Sequence, residues 1–138
     1  MNTKKISDFK IGDSAELKHL FSENDVNIFA NISMDKNPIH LDEKYAETTK
    51  FGKKIVHGFL SGSLISAVLG NLLPGNGSIY MCQNMNFIRP VFIGDEITAK
   101  VIISSINIEK KQILLDTFCT NQFDKNVIEG NAIMYYPY

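Results

Sequence analysis

Asp35 and His40 are the two residues whose types and spacing could do acid–base chemistry, since they lie on either side of Pro38. The residue before a proline is disfavoured in the α region, so Asn37 prevents a regular helix across this stretch. A turn can bring both side chains to one point, which a helix with the same spacing would not do. A carboxylate and an imidazole that converge on one water form a general acid–base pair.

The dipeptide His57-Gly58 is the second candidate, because it stands at the start of a long apolar segment. If a helix begins there, the backbone N–H of Gly58 is unpaired and lies at the positive end of the helix dipole. Such a donor can stabilise negative charge that develops on a carbonyl oxygen. In the alternative interpretation, Gly58 only eases the chain into the helix.

The same residues also have structural and metal-binding interpretations. Asp35 could simply cap backbone N–H groups in a turn, with His40 as a partly buried polar residue. Asp35, His40, Asp42 and His57 could also be read as metal ligands, but no HxH or HxxxH spacing occurs among them. We therefore expect no metal site.

The elements that must position these residues follow from the apolar pattern. A capping box at Ser22–Asp25 predicts a helix, and a second, short helix is predicted at 43–48. The segment 58–73 is apolar on most sides with small residues between, which is typical of a buried helix. Alternating apolar residues predict strands at 14–20, 78–88, 97–108, 112–123 and 127–136. We expect an α+β fold in which a four-strand antiparallel meander follows the helix and wraps around it.

The composition restricts the class of protein. A chain of 138 residues suits one domain, 1–138. The net charge is -1 and Arg89 is the single arginine, which argues against nucleic acid as a partner. Cys82 and Cys119 have no CxxC spacing, the N-terminus shows no signal peptide, and the apolar segment 59–73 is too short and polar to span a bilayer. We expect a cytoplasmic protein with reduced thiols.

Four segments resemble the MaoC-like family in order and spacing: 35–42 (DKNPIHLD), 55–58 (IVHG), 74–80 (PGNGSIY) and 87–95 (FIRPVFIGD). Within that family the chain looks most like the single-domain bacterial (R)-specific enoyl-CoA hydratases, over residues 10–137. The resemblance implies a hot-dog fold, a homodimer, and reversible syn addition of water to a trans-2-enoyl thioester of short to medium chain. It implies no cofactor, because the CoA belongs to the acyl-CoA substrate.

The resemblance also implies roles for individual residues. Asp35 and His40 correspond to the catalytic pair, without deciding which of them removes the proton from water. Gly58 N–H corresponds to the donor that holds the thioester carbonyl, and Asn37 to a residue that orients the loop. His57 is interpreted as structural, because the acid–base histidine of the family corresponds to His40.

Two residues of the central helix have weaker assignments. Ser66 is either a small residue that lets the helix pack or, by similarity with the family, a hydrogen-bond partner that orients Asp35. Leu69 is expected to line the acyl tunnel together with Leu64 and Val68. Arg89 could contact a CoA phosphate or form a structural ion pair.

Three other functions share this fold. A 3-hydroxyacyl-ACP dehydratase would use an acidic carrier protein, for which the chain shows no clear basic patch. A hot-dog thioesterase would place a carboxylate on the central helix, and 58–73 contains no Asp or Glu. A non-catalytic acyl-CoA-binding subunit would have lost Asp35 or His40, and both are present.

Overall fold

Five strands and a long helix form the framework that carries the candidate residues, and the computed structural model describes residues 4–138. The strands are β1 (Ser14–Leu20), β2 (Ile79–Phe87), β3 (Glu96–Asn107), β4 (Gln112–Thr120) and β5 (Asn126–Tyr135). The helices are α1 (Glu23–Ser33), α2 (Pro38–Leu41), α3 (Glu43–Glu47) and α4 (Gly58–Asn71), and a 3-10 turn covers Ile6–Asp8. The predicted α+β hot-dog architecture, a sheet around a central helix, is confirmed.

The strand order corrects the predicted meander. The sheet runs β1-β3-β4-β5-β2, with every neighbouring pair antiparallel. Strands β3, β4 and β5 are consecutive neighbours, but β2 pairs with β5 instead of β3. The reason is that the chain after β2 leaves the sheet: Val91 accepts a backbone hydrogen bond from Val56 at 2.7 Å, and Phe92 forms an isolated bridge with Ile55. This crossing anchors the segment that leads into α4.

Helix α4 is buried because apolar side chains cover most of its circumference. Ile65, Val68 and Leu69 are fully buried against the inner face of the sheet. Burial of each such side chain contributes about 1.5–3 kcal/mol relative to exposure. The helix ends at Asn71, before Pro74 and Gly75, slightly earlier than predicted. Among residues 4–138, no helix has the length and apolar character needed to cross a membrane.

Helix α1 begins at the predicted capping box and ends in a sharp turn. Ser22 Oγ accepts from Asp25 N–H at 3.1 Å, and Asp25 Oδ2 accepts from Ser22 N–H at 2.9 Å. At the other end, Met34 adopts a left-handed conformation with φ 64°. A non-glycine residue with positive φ is uncommon, and here it turns the chain directly into Asp35.

Helix α2 refines the prediction that no regular helix crosses the stretch from Asp35 to His40. Asn37 lies outside the α region with ψ 126°, as the following proline predicts. Pro38 then starts a single helical turn, because proline at the first helical position removes an N–H that would be unpaired anyway. His40 therefore lies in a helical turn, while Asp35 lies before it.

Candidate active site

The candidate residues meet at a cavity of ≈ 480 Å³ beside the first turn of α4. Its polar lining includes Asp35, His40, His57 and Ser61. The loop 88–91 and the end of β2 form another wall, and Lys50 and Arg89 add two cationic groups. A cavity of this size, apolar with a few convergent polar groups, is typical of a small-molecule site.

The Asp35 turn is held by two local hydrogen bonds. Asp35 Oδ1 accepts from Asn37 N–H at 3.2 Å, and Asn37 Oδ1 accepts from Ile39 N–H at 3.2 Å. Asn37 thus fixes the turn through its side chain. One carboxylate oxygen of Asp35 caps the backbone, as in the structural alternative, yet the residue is exposed and lines the cavity. The capping role and a chemical role are therefore compatible.

His40 is buried, and its hydrogen bond decides its tautomer. Its Nδ1 lies 2.7 Å from the carbonyl oxygen of Ile55, which can only accept, so Nδ1 carries the hydrogen. In the neutral ring Nε2 is therefore the acceptor. Burial lowers the pKa of His40 below the ordinary 6.5. The hydrogen bond to the Ile55 carbonyl opposes this decrease, the nearby His57 ring adds to the decrease, and the charge of Asp35 opposes it. His40 is consequently neutral at pH 7 and able to accept a proton.

His57 connects the two candidate acid–base groups. Its ring stacks on that of His40 with centroids 3.8 Å apart and planes inclined by 28°. Its Nε2–H donates to the backbone carbonyl of Asp35 at 2.9 Å. One carboxylate oxygen of Asp35 and one ring nitrogen from each of His40 and His57 lie within 4.8 Å of one another. The turn therefore brings the carboxylate and the imidazole together, as the sequence predicted.

These three side chains are also the group that could hold a metal ion. Each histidine gives one ring nitrogen to a backbone carbonyl and leaves the other nitrogen as a potential ligand. However, the planes of the two rings are inclined by only 28°, whereas tetrahedral ligands approach a metal from widely different directions. The expectation of a metal-free site stays a prediction, and acid–base chemistry fits the geometry better.

Gly58 is the first residue of α4, with His57 at the N-cap giving no side-chain cap. Its N–H has no intrahelical acceptor, as at any helix start, and Gly58 lines the cavity. A Cβ at this position would lie 2.7 Å from Cε1 of Phe87. Glycine therefore lets the aromatic ring approach the helix while the N–H remains a donor at the cavity.

Two predicted residues do not line this cavity. Ser66 lies on the exposed side of α4, and Leu69 is fully buried in the core. Their predicted contacts with Asp35 and with an acyl chain stay predictions. Leu64 and Val68 likewise belong to the core.

Sequence reasoning missed Ser61 and Phe87 as cavity residues. Ser61 is 1% exposed and lies one helical turn after His57, on the cavity side of α4. The spacing of four from His57 could have pointed to it, because such residues share a helix face. Phe87 could not be found this way, since only strand pairing and the packing against Gly58 bring it to the cavity.

Comparisons with known proteins agree with this geometry. The model of the MaoC like domain matches residues 6–121. An (R)-specific enoyl-CoA hydratase from Rhodospirillum rubrum is 48% identical over 94% of this chain and 90% of its own. A 3-hydroxybutyryl-CoA dehydratase from Methylorubrum extorquens is 42% identical over 94% of this chain and 82% of its own.

Solved structures show the same likeness in three dimensions. The (R)-hydratase from Aeromonas caviae, involved in PHA biosynthesis, superposes with a TM-score of 0.91 at 41% identity, covering 94% of this chain and 98% of that one. The unliganded R-hydratase PhaJ1 from Pseudomonas aeruginosa gives a TM-score of 0.90 at 39% identity, covering 96% and 84%. The likeness therefore extends over nearly the whole length of this chain and over most of each solved structure.

Proposed function

Because this chain belongs to the MaoC-like domain family, we propose that it is an (R)-specific enoyl-CoA hydratase, equivalently a 3-hydroxyacyl-CoA dehydratase. The observation that carries the proposal is the arrangement at one cavity of three groups: the Asp35 carboxylate, a neutral His40 and the N–H of Gly58, the first of α4. Together they supply a proton acceptor, a second polar group for the water, and a donor for a carbonyl oxygen.

The reaction assigns a step to each group. A water molecule hydrogen-bonds to Asp35 and to Nε2 of His40, and its oxygen adds to the β-carbon while Nε2 takes the proton. The thioester carbonyl becomes an enolate oxygen, which Gly58 N–H stabilises by about 3 kcal/mol, as one such donor typically does. Nε2 of His40 then returns the proton to the α-carbon from the same face. The O–H bond of water and the π bond between the α- and β-carbons are broken, and C–O and C–H bonds form, which gives syn addition.

The cavity walls fit a CoA thioester. Aromatic side chains of Phe51, Phe59 and Phe87 provide apolar walls for a short or medium acyl chain. Lys50 and Arg89 supply positive charge for a phosphate group. Arg89 donates to the carbonyl of Asn126 at 2.6 Å and forms no ion pair within residues 4–138, so its charge remains available. The proposed reaction uses no cofactor besides the CoA of the substrate.

A homodimer is part of the proposal. Strand β2 is an edge of the sheet, and apolar side chains stand exposed along it, among them Ile79 and Met81, which are 53% and 56% exposed. An exposed apolar edge strand is an aggregation hazard unless another strand covers it. A second copy of the same edge would do so. We also propose that 1–138 acts as one domain in the cytoplasm, where CoA thioesters are formed and where Cys82 and Cys119 would stay reduced.

The proposal is tested by hydration of crotonyl-CoA, followed through loss of the enoyl-thioester absorbance, with chiral analysis of the product. Wild-type protein should form the (R)-3-hydroxy thioester. Asp35→Asn keeps an oxygen for Asn37 N–H but removes the charge, and should lower kcat/KM at least about a hundredfold. Asp116→Asn, at an exposed position on β4, is the matched control and should retain full activity.

Substrate range separates the alternatives. If no enoyl-CoA from C4 to C10 is hydrated, the proposed function is wrong. Activity on crotonyl-ACP alone would favour the carrier-protein dehydratase, an activity that relatives from Arabidopsis thaliana and Solanum lycopersicum carry in their names. Release of free CoA without hydration would favour a thioesterase.

A further inference from the structure

Two buried polar atoms at the floor of the cavity have no partner within residues 4–138: Nδ1 of His57 and Oγ of Ser61. His57 is 2% exposed and Ser61 is 1% exposed, and both residues line the cavity. An unpaired buried polar group costs about 1–3 kcal/mol, so such atoms normally have a partner. Because two such unpaired atoms lie at one site, we expect them to share one hydrogen-bond partner.

The chemistry of the two atoms identifies that partner. Nε2 of His57 must carry the hydrogen, because it donates to the Asp35 carbonyl, so Nδ1 presents a lone pair. The Ser61 hydroxyl can donate and accept. His57 is the N-cap of α4 and Ser61 is its fourth residue, and both line the same cavity, so one water molecule between the two atoms would satisfy both. The main-chain N–H of Ser61 already bonds to the His57 carbonyl at 3.1 Å, which fixes their relative position.

We propose that Ser61 Oγ and His57 Nδ1 together bind one ordered water molecule, and that Ser61 thereby acts as a positioning residue for Asp35. The water donates one hydrogen to Nδ1 and accepts the hydrogen of the Ser61 hydroxyl. With its lone pair satisfied, His57 keeps the tautomer whose Nε2–H holds the Asp35 carbonyl. The His57 ring also stacks on His40, so by fixing this ring the water supports the position of His40 as well.

This inference rests on the proposed function only for its catalytic consequence. Ser61→Ala removes a single oxygen from a helix, where alanine is favourable, so the variant should fold, with a Tm lowered only modestly by the weakened hydrogen bonding of His57 Nδ1. It should lower kcat for crotonyl-CoA hydration about tenfold with KM within about twofold, as small misplacements of catalytic groups do. Ser61→Cys, which keeps the shape but bonds weakly, should behave like Ser61→Ala.

The matched control is Ser63→Ala on the same helix. Ser63 is exposed and does not line this cavity, and among the described residues its hydroxyl bonds only to the Leu60 carbonyl, so activity should stay unchanged. Equal kcat in wild type, Ser61→Ala and Ser61→Cys would overturn the positioning role.

Two measurements decide the water site independently of activity. The chain has three histidines, so ¹⁵N spectra of the ring nitrogens can be assigned with His19→Gln and His40→Gln variants. In wild type, Nδ1 of His57 should show a hydrogen-bonded lone pair, and in Ser61→Ala its resonance should shift towards the free value. A high-resolution crystal structure should show one water bonded to both atoms.

The opposite results are equally clear. An unchanged Nδ1 resonance, or a direct bond between Ser61 and His57 with no water, would overturn the proposal. If the wild-type protein hydrates no enoyl thioester, the proposed function fails, while the spectra and the crystal structure still decide whether the water site exists.

Discussion

At the residue scale, the site depends on hydrogen bonds that occupy one polar atom of Asp35 and one of His40 and leave the other polar atom of each side chain for chemistry. Asp35 gives Oδ1 to the turn, and His40 gives Nδ1–H to the Ile55 carbonyl. The backbone therefore sets the tautomer of His40, while burial lowers its pKa. These effects make His40 a base at neutral pH, which is the role that the proposed hydration requires.

The lowered pKa of His40 predicts the pH dependence of activity. Only the neutral ring accepts a proton from water, so kcat/KM should be constant at neutral pH and fall as the pH drops through the pKa of His40. Because burial places this pKa below the ordinary 6.5, the acid limb should lie below pH 6.5. A pH profile with crotonyl-pantetheine, which lacks the titrating phosphate of CoA, measures this directly.

The control for this profile is His19→Gln. His19 is exposed, pairs with Asp25 at 2.9 Å and does not line the site cavity, so the acid limb should not move. An acid limb at or above pH 6.5 would contradict the assignment of His40 as a buried neutral base.

At the element scale, the start of α4 is the feature on which the site depends. The helix places Gly58 N–H at the cavity and Ser61 one turn deeper, while β2 brings Phe87 against Gly58. The loop before the helix is anchored by the bridge between Ile55 and Phe92. A helix terminus fixed at both sides presents its donor without needing to reorganise, which is what stabilisation of a developing charge requires.

Substitution Gly58→Ala tests this packing. The added methyl group would lie 2.7 Å from Cε1 of Phe87, so the ring must move, although the N–H is kept. Phe87 is half exposed, so the protein should fold, but the displaced ring should change substrate placement and lower kcat/KM about ten- to a hundredfold. Steady-state kinetics with crotonyl-CoA measure the loss.

A second substitution shows whether the ring is the cause. Phe87→Leu shortens the side chain, so in the Gly58→Ala background it should recover part of the activity, although alone it lowers it. Strict additivity of the two losses would mean that contact with Phe87 does not explain the effect of Gly58→Ala.

At the scale of the whole molecule, strand order explains why one edge needs a partner. Within residues 4–138, β2 pairs only with β5, so its outer edge has no strand beside it. The strand also carries exposed apolar side chains. Phe59 and Phe87, which line the cavity, are 71% and 51% exposed near this edge. Association of two copies here would cover these rings, which links oligomeric state to the proposed activity.

If the proposed dimer forms through β2, Met81→Lys should convert it to a monomer, because the lysine places a charge in an apolar contact. Light scattering after size-exclusion chromatography measures the mass, and crotonyl-CoA hydration should fall in parallel. Ile108→Lys is the matched control, since Ile108 is 55% exposed against 56% for Met81 but lies in the β3–β4 turn. A monomeric wild type, or an unchanged dimer in Met81→Lys, would contradict this interface.

The sequence by itself determined the local features of this protein. The capping box of α1, the break of helix before Pro38, the buried central helix and the proximity of Asp35 to His40 all follow from residue types and short spacings. Their physical cause is local sterics and periodicity, which act between residues close in the chain. The four segments 35–42, 55–58, 74–80 and 87–95, in their order and spacing, also indicated the family.

Only the tertiary structure decided how distant segments meet. The pairing of β2 with β5, the Ile55 carbonyl that sets the tautomer of His40, and the ring of Phe87 against Gly58 all join residues far apart in sequence. The orphaned atoms of His57 and Ser61 also became visible only once burial was known. Such contacts depend on the packing of the whole sheet around α4, and no short-range pattern encodes them.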